Sequence, residues 1–195
     1  SGGSTGADGN PWPSPWITSE DSSSGIQDWF SGALRLVSPS VATESSYASA
    51  SLSDPNLHLK YELKFPAIQP MTVRFLFRGS ATFGEGYIVK YNVNSNSVDL
   101  VQYGNGVETI LMTRAYQFVA NESMTTDIYL IGNRLLVNFY PTSQTPATVV
   151  EYKFDYFTEL YKTNTRVQFK VTSNNGSAST MYLNKFTSAV VPAGV

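Results

Sequence analysis

The sequence predicts an all-β protein, an antiparallel β-sandwich of the jelly-roll type. Apolar and polar residues alternate with a period of two along most of the chain, and no stretch sustains the helical period. Turns rich in Asn, Gly and Ser separate these runs at the spacing of a sandwich or barrel. Of the 195 residues, 13% are aromatic and only 14% are charged. This composition is typical of a β-rich protein with an uncharged polar surface.

The clearest strands are predicted between residues 56 and 79. In NLHLKYELKF the apolar residues occupy every second position, which indicates a half-buried strand that Pro66 ends. In MTVRFLFRG one face carries Val73, Phe75 and Phe77, and the other carries Arg74, Leu76 and Arg78. The earlier segments GALRLVSP and SYASASLS predict the first strands of the sandwich.

The later strands are predicted from their turns. GYIVKYNVNSNSVDLVQYGNGVETILM contains three strand-like runs divided by NSNS and GNG. Asn and Gly tolerate the positive φ angles of tight turns, so we predict a three-stranded antiparallel meander. TDIYLIGNRLLVNFYP predicts a hairpin that turns at Gly132 and Asn133, and SNNGSAS divides a last strand pair. TVVEYKFDYFTELY is compatible with a strand or with one or two helical turns.

Length and composition restrict the domain organisation and the partners. We predict a flexible linker or fragment boundary at residues 1–7 and a single sandwich domain at 8–195. The net charge is −2 and no basic cluster is present, which disfavours a nucleic-acid partner. Without cysteine there is no disulfide framework, and no apolar run approaches the ~20 residues of a membrane span.

Several motifs carry a resemblance to a known fold family. GYIV resembles the GY-x-V opening of a sheet strand, and TMYLNKFT resembles a closing Y-L-[DN]-[DNK]-F strand. In this order they resemble concanavalin A-like jelly rolls of the laminin-G or glucanase-like type. GADGNPWPSPW is similar to the start of sandwich domains in minor tail proteins of phages that infect mycobacteria and other actinobacteria. Of the family's F-x-R-A-[DN]-G start this sequence contains only TGADG, and the leading aromatic residue is either missing or was cut off.

The resemblance implies a role and a location. It implies a domain of a phage tail, located on the virion or otherwise outside cells. Its partners would be a host cell-surface glycan and other tail subunits, with a homotrimer as a candidate assembly.

The segment DGNPWPSPW predicts an extended strap, because its three prolines exclude a central strand. Trp12 and Trp16 lie four residues apart and point to the same side of an extended chain. We expect the strap to seal an open edge of the sandwich. The alternative is that Trp12 stacks on a sugar.

Catalytic and metal sites are not indicated by the sequence. Glucanase relatives carry E-x-D-x-x-E or E-x-D-x-E on one strand, and the nearest approach here is Glu151, Asp155 and Glu159 at a spacing of four. His58, the single histidine, lies on the polar face of its strand, so we expect it to be exposed and zinc to be absent. No cofactor is expected except Ca²⁺, for which Asp8 and Asn10, and also Asp54 and Asn56, are turn residues with oxygen ligands.

A binding surface is the remaining possibility. If the alternation holds, the second face of the sandwich carries Arg74, Arg78, Lys90, Asn92 and Gln102, with Tyr103 and Tyr129 nearby. Aromatic rings beside amide and guanidinium donors suit a sugar-binding surface. We therefore expect a non-catalytic module for carbohydrate or cell-envelope recognition. A structural or oligomerisation module without a ligand and a glycan hydrolase with a non-standard site are the alternatives.

Overall fold

A computed structural model describes residues 16–20, 25–143 and 152–191. These residues form fourteen β-strands and one 3₁₀ turn, Val93–Ser95. The strands are β1 Ile17–Glu20, β2 Ile26–Phe30, β3 Ala33–Val37, β4 Ser45–Ser51, β5 Leu57–Lys64, β6 Met71–Gly79, β7 Glu85–Asn92, β8 Ser97–Gly104, β9 Val107–Ala115, β10 Ser123–Ile131, β11 Arg134–Pro141, β12 Tyr152–Phe157, β13 Arg166–Ser173 and β14 Thr180–Val190.

The strands pair antiparallel in two seven-stranded sheets. Sheet I has the order β1-β4-β13-β6-β7-β8-β9, and sheet II has the order β12-β11-β10-β5-β14-β3-β2. The predicted all-β sandwich is confirmed. The predicted meander is formed by β7, β8 and β9, and the predicted hairpin by β10 and β11. Within the described ranges, no helix has the length and apolar character needed to cross a membrane.

Three details of the strand pattern differ from the prediction. β13 and β14 do not pair with each other, because the turn between them crosses from sheet I to sheet II, where β14 lies between β3 and β5. The segment compatible with strand or helix forms β12, at the edge of sheet II. β1, at one edge of sheet I, and β2, at the edge of sheet II opposite β12, have no strong alternation and were not predicted.

The core lies between the two sheets and follows the period-two pattern. On β5 the residues at odd positions are almost fully buried, from 0% to 3% exposed, whereas their neighbours are half-buried. The core includes a chain of hydroxyls that joins the sheets. Tyr61 on β5 and Tyr91 on β7 lie 2.5 Å apart at their hydroxyl oxygens, and Tyr91 also bonds Thr126 Oγ1 at 2.9 Å.

Trp16 is the one residue of the predicted strap that the structure describes. Its ring lies edge-on to Phe186, with 5.2 Å between centroids, and 5.9 Å from the ring of Phe169. It is half-buried against the core. This packing agrees with a sealing role for the C-terminal end of the segment. Trp12 lies outside the described residues.

Candidate functional site

A groove of about 540 Å³ opens on the outer face of sheet I, which faces away from the core. Its floor is formed by β13, β6 and β7. Its rims come from Tyr47 on β4, from the β6–β7 loop, and from Tyr103, Gly106 and Glu108 of the β8–β9 hairpin. Six strands and two turns, several of them distant in sequence, therefore contribute to one hollow.

Aliphatic side chains form an apolar floor at one end of the groove. Leu76, Ile88 and Val101 lie directly opposite one another on β6, β7 and β8. They form a second hydrophobic cluster, separate from the core, with at most 4% of each residue exposed. Phe83 and Tyr103 pack against it. These two rings cover most of the cluster, so the apolar surface that the groove presents comes from Phe83 and Tyr103 together with the parts of Leu76 and Ile88 that line it. Since an outer sheet face normally carries polar residues, this apolar surface suits an amphipathic ligand.

The β6–β7 loop forms one rim through backbone constraints. Ser80 bonds the backbone of both Glu85 and Phe83, and its hydroxyl accepts from the N–H of Gly84 at 3.1 Å. Phe83 has a positive φ of 57°. Gly86 follows with a φ of 149°, and a Cβ there would lie 2.9 Å from the carbonyl oxygen of Phe77. Only glycine fits this position, so the loop is held close to the floor.

A row of three cations forms the polar end of the groove. Lys170 on β13 lies opposite Arg74 on β6, and Arg74 lies opposite Lys90 on β7. The Lys170 ammonium lies 4.9 Å from the ring centroid of Tyr47, a cation–π contact. Arg74 donates from Nη1 to the hydroxyl of Thr172 at 3.3 Å. Several N–H donors are therefore fixed beside an aromatic ring.

Glu108 on β9 binds two of these cations. Arg74 Nε donates to Oε1 at 2.7 Å and Lys90 Nζ donates to Oε2 at 2.5 Å. Burial raises the pKa of the Glu108 carboxyl, but the hydrogen bonds and charges of Lys90 and Arg74 outweigh burial and lower it overall. In a flat sheet β6 and β9 would be about 14 Å apart, with a further offset of about 13 Å along the strands. The contact therefore requires that the β8–β9 hairpin curls over the outer face, which makes the groove concave.

The structure brings three of the predicted site residues together. Arg74 and Tyr103 line the groove. Lys90 binds the carboxylate of Glu108, which also lines the groove. Asn92 lies further along the same face, where its Nδ2 donates to Asp99 at 2.7 Å and to Ser97 at 3.1 Å. The placement of Gln102 on this face was wrong. It lies between Val101 and Tyr103, which both point outward, so it points to the inner face of β8.

The prediction that Arg78 shares the outer face is also wrong. A β-bulge near the end of β6 interrupts the alternation, and Arg78 has a positive φ of 48°. Its side chain turns into the end of the sandwich, where it is 1% exposed and donates from Nη2 to the carbonyl of Gly132 at 2.6 Å. Nε and Nη1 are buried with no partner among the described residues. Burial lowers the pKa of this guanidinium.

Tyr129 was expected near the binding face but lies on sheet II. It stacks on His58 at 4.2 Å on the outer face of that sheet. His58, predicted to be exposed, is half-buried, and its Nε2 lies 2.8 Å from Asp127 Oδ1. Tyr140 donates to the other oxygen of Asp127 at 2.9 Å, and Lys60 Nζ lies 3.4 Å from it. This cluster is separate from the groove.

The predicted calcium ligands are tested only in part. Asp8 and Asn10 lie outside the described residues. Asp54 accepts from the backbone N–H of Asn56 at 2.7 Å, and Asn56 Oδ1 accepts from the N–H of Gly132 at 2.8 Å. Both side-chain oxygens therefore accept hydrogen bonds from backbone N–H groups of turns. In the described part of the chain, no three His, Asp or Glu side chains are grouped as a metal site would need.

Several groove residues were not predicted. Gln168 and Lys170 alternate with buried Val167, Phe169 and Val171, a pattern that is visible in the sequence. The pattern does not reveal that β13 lies beside β6. Tyr47, Phe83 and Glu108 come from an early strand, a loop and an edge strand. No local pattern in the sequence brings these three together.

Comparison with known proteins supports the fold. No protein-family model and no curated protein matches this sequence. Among solved structures, the carbohydrate-binding module CBM66 from Bacillus subtilis matches with a TM-score of 0.63 and 13% identity, over 89% of this chain and 94% of that one. An isoform of the Lotus tetragonolobus seed lectin matches with a TM-score of 0.64 and 12% identity, over 94% and 96% of the two chains.

A third similar structure comes from a phage. The CBM2 module of the evolved Dit of Lactobacillus casei BL23 phage J-1 matches with a TM-score of 0.63 and 9% identity, over 92% of this chain and 91% of that module. All three matches extend over nearly the whole of both chains. At these identities they establish a shared β-sandwich fold.

Proposed function

We propose that this protein is a non-catalytic carbohydrate-binding module and that the groove on sheet I is its binding site. The observation that carries the proposal is one concave hollow with an apolar floor, aromatic rims and a row of fixed N–H donors. Aromatic rings stack on the apolar faces of sugars, and charged donors bind their hydroxyls. The similar structures named as lectins and carbohydrate-binding modules support this proposal.

We also propose that the module recognises glycans of a host cell envelope as part of a phage tail. It would then act on the virion, outside the cell. The similarity to the module of the phage J-1 Dit supports this role, as does the resemblance of the N-terminal segment to minor tail proteins. The proposal requires no cofactor, and the chelator comparison below tests whether Ca²⁺ takes part in binding.

Binding to a glycan array tests the groove directly. The purified protein, Tyr103→Ala and Tyr129→Ala would be compared on an array with arabinogalactan and mannan fragments, with and without chelator. Tyr103 lines the groove, whereas Tyr129 lies on sheet II, so we expect binding to fall about tenfold or more only in Tyr103→Ala. If only Tyr129→Ala lost binding, the binding site would lie on sheet II instead. If binding were lost when chelator is present, Ca²⁺ would be part of the site.

A structural role in tail assembly is the second candidate, and the edge strand β9 favours it. Val107 and Ile110 on this strand are 62% and 57% exposed. Exposed apolar edges pair readily with other chains, including other tail subunits or two further copies. A blank array together with a trimer in light scattering would favour this function over glycan binding.

A further inference from the structure

Strand β12 lies at an edge of sheet II and has one open side. In the part of the chain that the structure describes, only β11 pairs with it. The N–H of Thr158 donates to the carbonyl of Asn133 at 2.7 Å, one position beyond the last register pair of these two strands. Backbone groups alternate between the two sides of an antiparallel strand, so Lys153 and Asp155 direct their N–H and C=O groups away from β11. Such an edge can pair with another chain.

The side chains of β12 are complementary to a second copy of the same strand. Tyr152, Phe154 and Tyr156 pack toward the core, so Lys153 and Asp155 lie between them on the outer face. If two copies pair antiparallel about Phe154, Lys153 of each copy lies opposite Asp155 of the other, and Tyr152 lies opposite Tyr156. Unlike charges and aromatic rings in directly opposed positions stabilise a sheet.

Neighbouring registers of the same pairing are less favourable. Pairing centred on Lys153 or on Asp155 would place two like charges directly opposite each other, which destabilises a sheet. A shift by one residue would place Lys153 opposite Phe154, whose backbone groups point to β11, and would bring the outer face of one copy against the core side of the other. Of these registers, only the one centred on Phe154 opposes unlike charges with both faces in phase.

The charges at this edge allow a further ion pair. Arg134 donates from Nε and Nη2 to the two carboxylate oxygens of Asp155, at 2.9 and 2.8 Å, and so fixes their position. Lys153 Nζ lies 3.9 Å from the same carboxylate, and its side chain is 44% exposed. A carboxylate accepts more than two hydrogen bonds. Asp155 can therefore bind the ammonium of a second copy and keep its bonds to Arg134.

We infer that β12 pairs with β12 of a second copy, antiparallel and about a twofold axis at Phe154. Sheet II then continues through a dimer with seven strands from each copy. Each opposed pair of Lys153 and Asp155 exchanges its backbone hydrogen bonds across the axis. The same surface is used by both copies, so the contact closes at two subunits.

The dimer has a consequence for binding. A twofold axis perpendicular to the shared sheet leaves the outer faces of both copies of sheet I, with their grooves, on one side. Two grooves would then engage one ligand-covered surface together and bind it more tightly than a single groove. This consequence rests on the proposed carbohydrate-binding function, whereas the pairing of β12 does not.

Sedimentation velocity over a range of protein concentrations tests the pairing. We expect a reversible equilibrium between monomer and dimer. Lys153→Glu and Asp155→Lys each place like charges opposite one another twice, so each variant alone should dimerise about tenfold more weakly or worse. An equal mixture of the two should recover the dimer, because the introduced carboxylate then lies opposite the introduced ammonium. Lys64→Glu makes the same change of charge on central strand β5 and should leave the equilibrium unchanged.

The outcomes separate the pairing from the proposed function. A protein that is monomeric at every concentration, or trimeric, would overturn the inference, as would a dimer that both variants leave unchanged. If the folded variants did not recover a dimer on mixing, the register centred on Phe154 would be wrong. Circular dichroism checks that they are folded. A dimer with a blank glycan array would overturn the binding function alone, and a monomer that binds glycans would overturn the pairing alone.

Discussion

The hydroxyls of Tyr61 and Tyr91 meet at 2.5 Å in the centre of the core and connect the two sheets. Tyr61 belongs to sheet II and Tyr91 to sheet I, and both residues are fully buried. Thr126 on sheet II is the third member of the chain. A buried hydroxyl must find a partner, so each of these side chains determines the position of the others across the interface.

We predict that Tyr91→Phe lowers the free energy of unfolding by about 1–3 kcal/mol, because the hydroxyls of Tyr61 and Thr126 each lose a buried partner. Tyr61→Phe should also be destabilising. The double variant should lose less than the sum of the two, since it removes both ends of one hydrogen bond. Urea unfolding of the four proteins gives the coupling. Strict additivity would contradict a direct interaction between the two hydroxyls.

The Glu108 carboxylate predicts a dependence of stability on acidic pH. Its pKa is lowered below 4.5 in the folded protein. Its contribution is therefore complete above about pH 4.5 and is lost as the pH falls through the lowered pKa. At neutral pH, Glu108→Gln should lower the free energy of unfolding by about 1 kcal/mol, because its ion pairs are only partly exposed to solvent. In acid it should lower it by nothing, because the carboxyl of the unmodified protein is then protonated as well.

The control for this prediction is Glu159→Gln. Glu159 also bonds a lysine, Lys162, and its pKa is also lowered, but its side chain is largely exposed. Solvent screens such a pair, so we expect no measurable change in stability. Melting temperatures across the acid range compare the two variants. A loss in Glu108→Gln that is the same at all pH values would mean that packing, rather than charge, is responsible.

The sequence was sufficient to predict the sandwich and most of its strands. Alternation reports which side chains share a face, and on β5 it placed every buried residue correctly. It failed at Arg78, where a bulge in β6 rotates the side chain to the other face. The bulge arises from the pairing of β6 with β13, and the alternation of residues within β6 does not reveal that pairing.

The candidate site was predicted less completely for a related reason. Arg74, Lys90 and Tyr103 were identified because they lie on neighbouring strands of one meander. Lys170 and Tyr47 lie far away in sequence and join the groove through the pairing of β13 with β6 and β4. Glu108 depends on the curvature of the whole sheet. These are long-range properties of the fold, and a single sequence contains no direct signal for them.

Trp16 provides a test of the sealing role of the N-terminal segment. We predict that Trp16→Ala lowers the free energy of unfolding by about 2–3 kcal/mol, because its ring covers Phe169 and Phe186. Phe157→Ala is the control, since that ring is 63% exposed at the sheet edge. Urea unfolding measures both. If the two variants were equally stable, the Trp16 ring would not be part of the effective core.

Gly86 links backbone conformation to the floor of the groove. A Cβ at this position would lie 2.9 Å from the carbonyl oxygen of Phe77 and 3.0 Å from Cδ1 of Leu76, a floor residue. The φ of 149° adds strain for any side chain. We predict that Gly86→Ala costs about 2–4 kcal/mol and weakens glycan binding, since Leu76 has to move.

Gly32→Ala separates strain from crowding in this prediction. Gly32 also has a positive φ, of 81°, but a Cβ there would meet nothing within 4 Å, and the turn belongs to sheet II. It should cost only about 1 kcal/mol and leave glycan binding unchanged. Thermal unfolding and calorimetric titration with the array ligand give both quantities. Equal losses of stability in the two variants would show that φ alone matters, and unchanged affinity in Gly86→Ala would remove Leu76 from the binding surface.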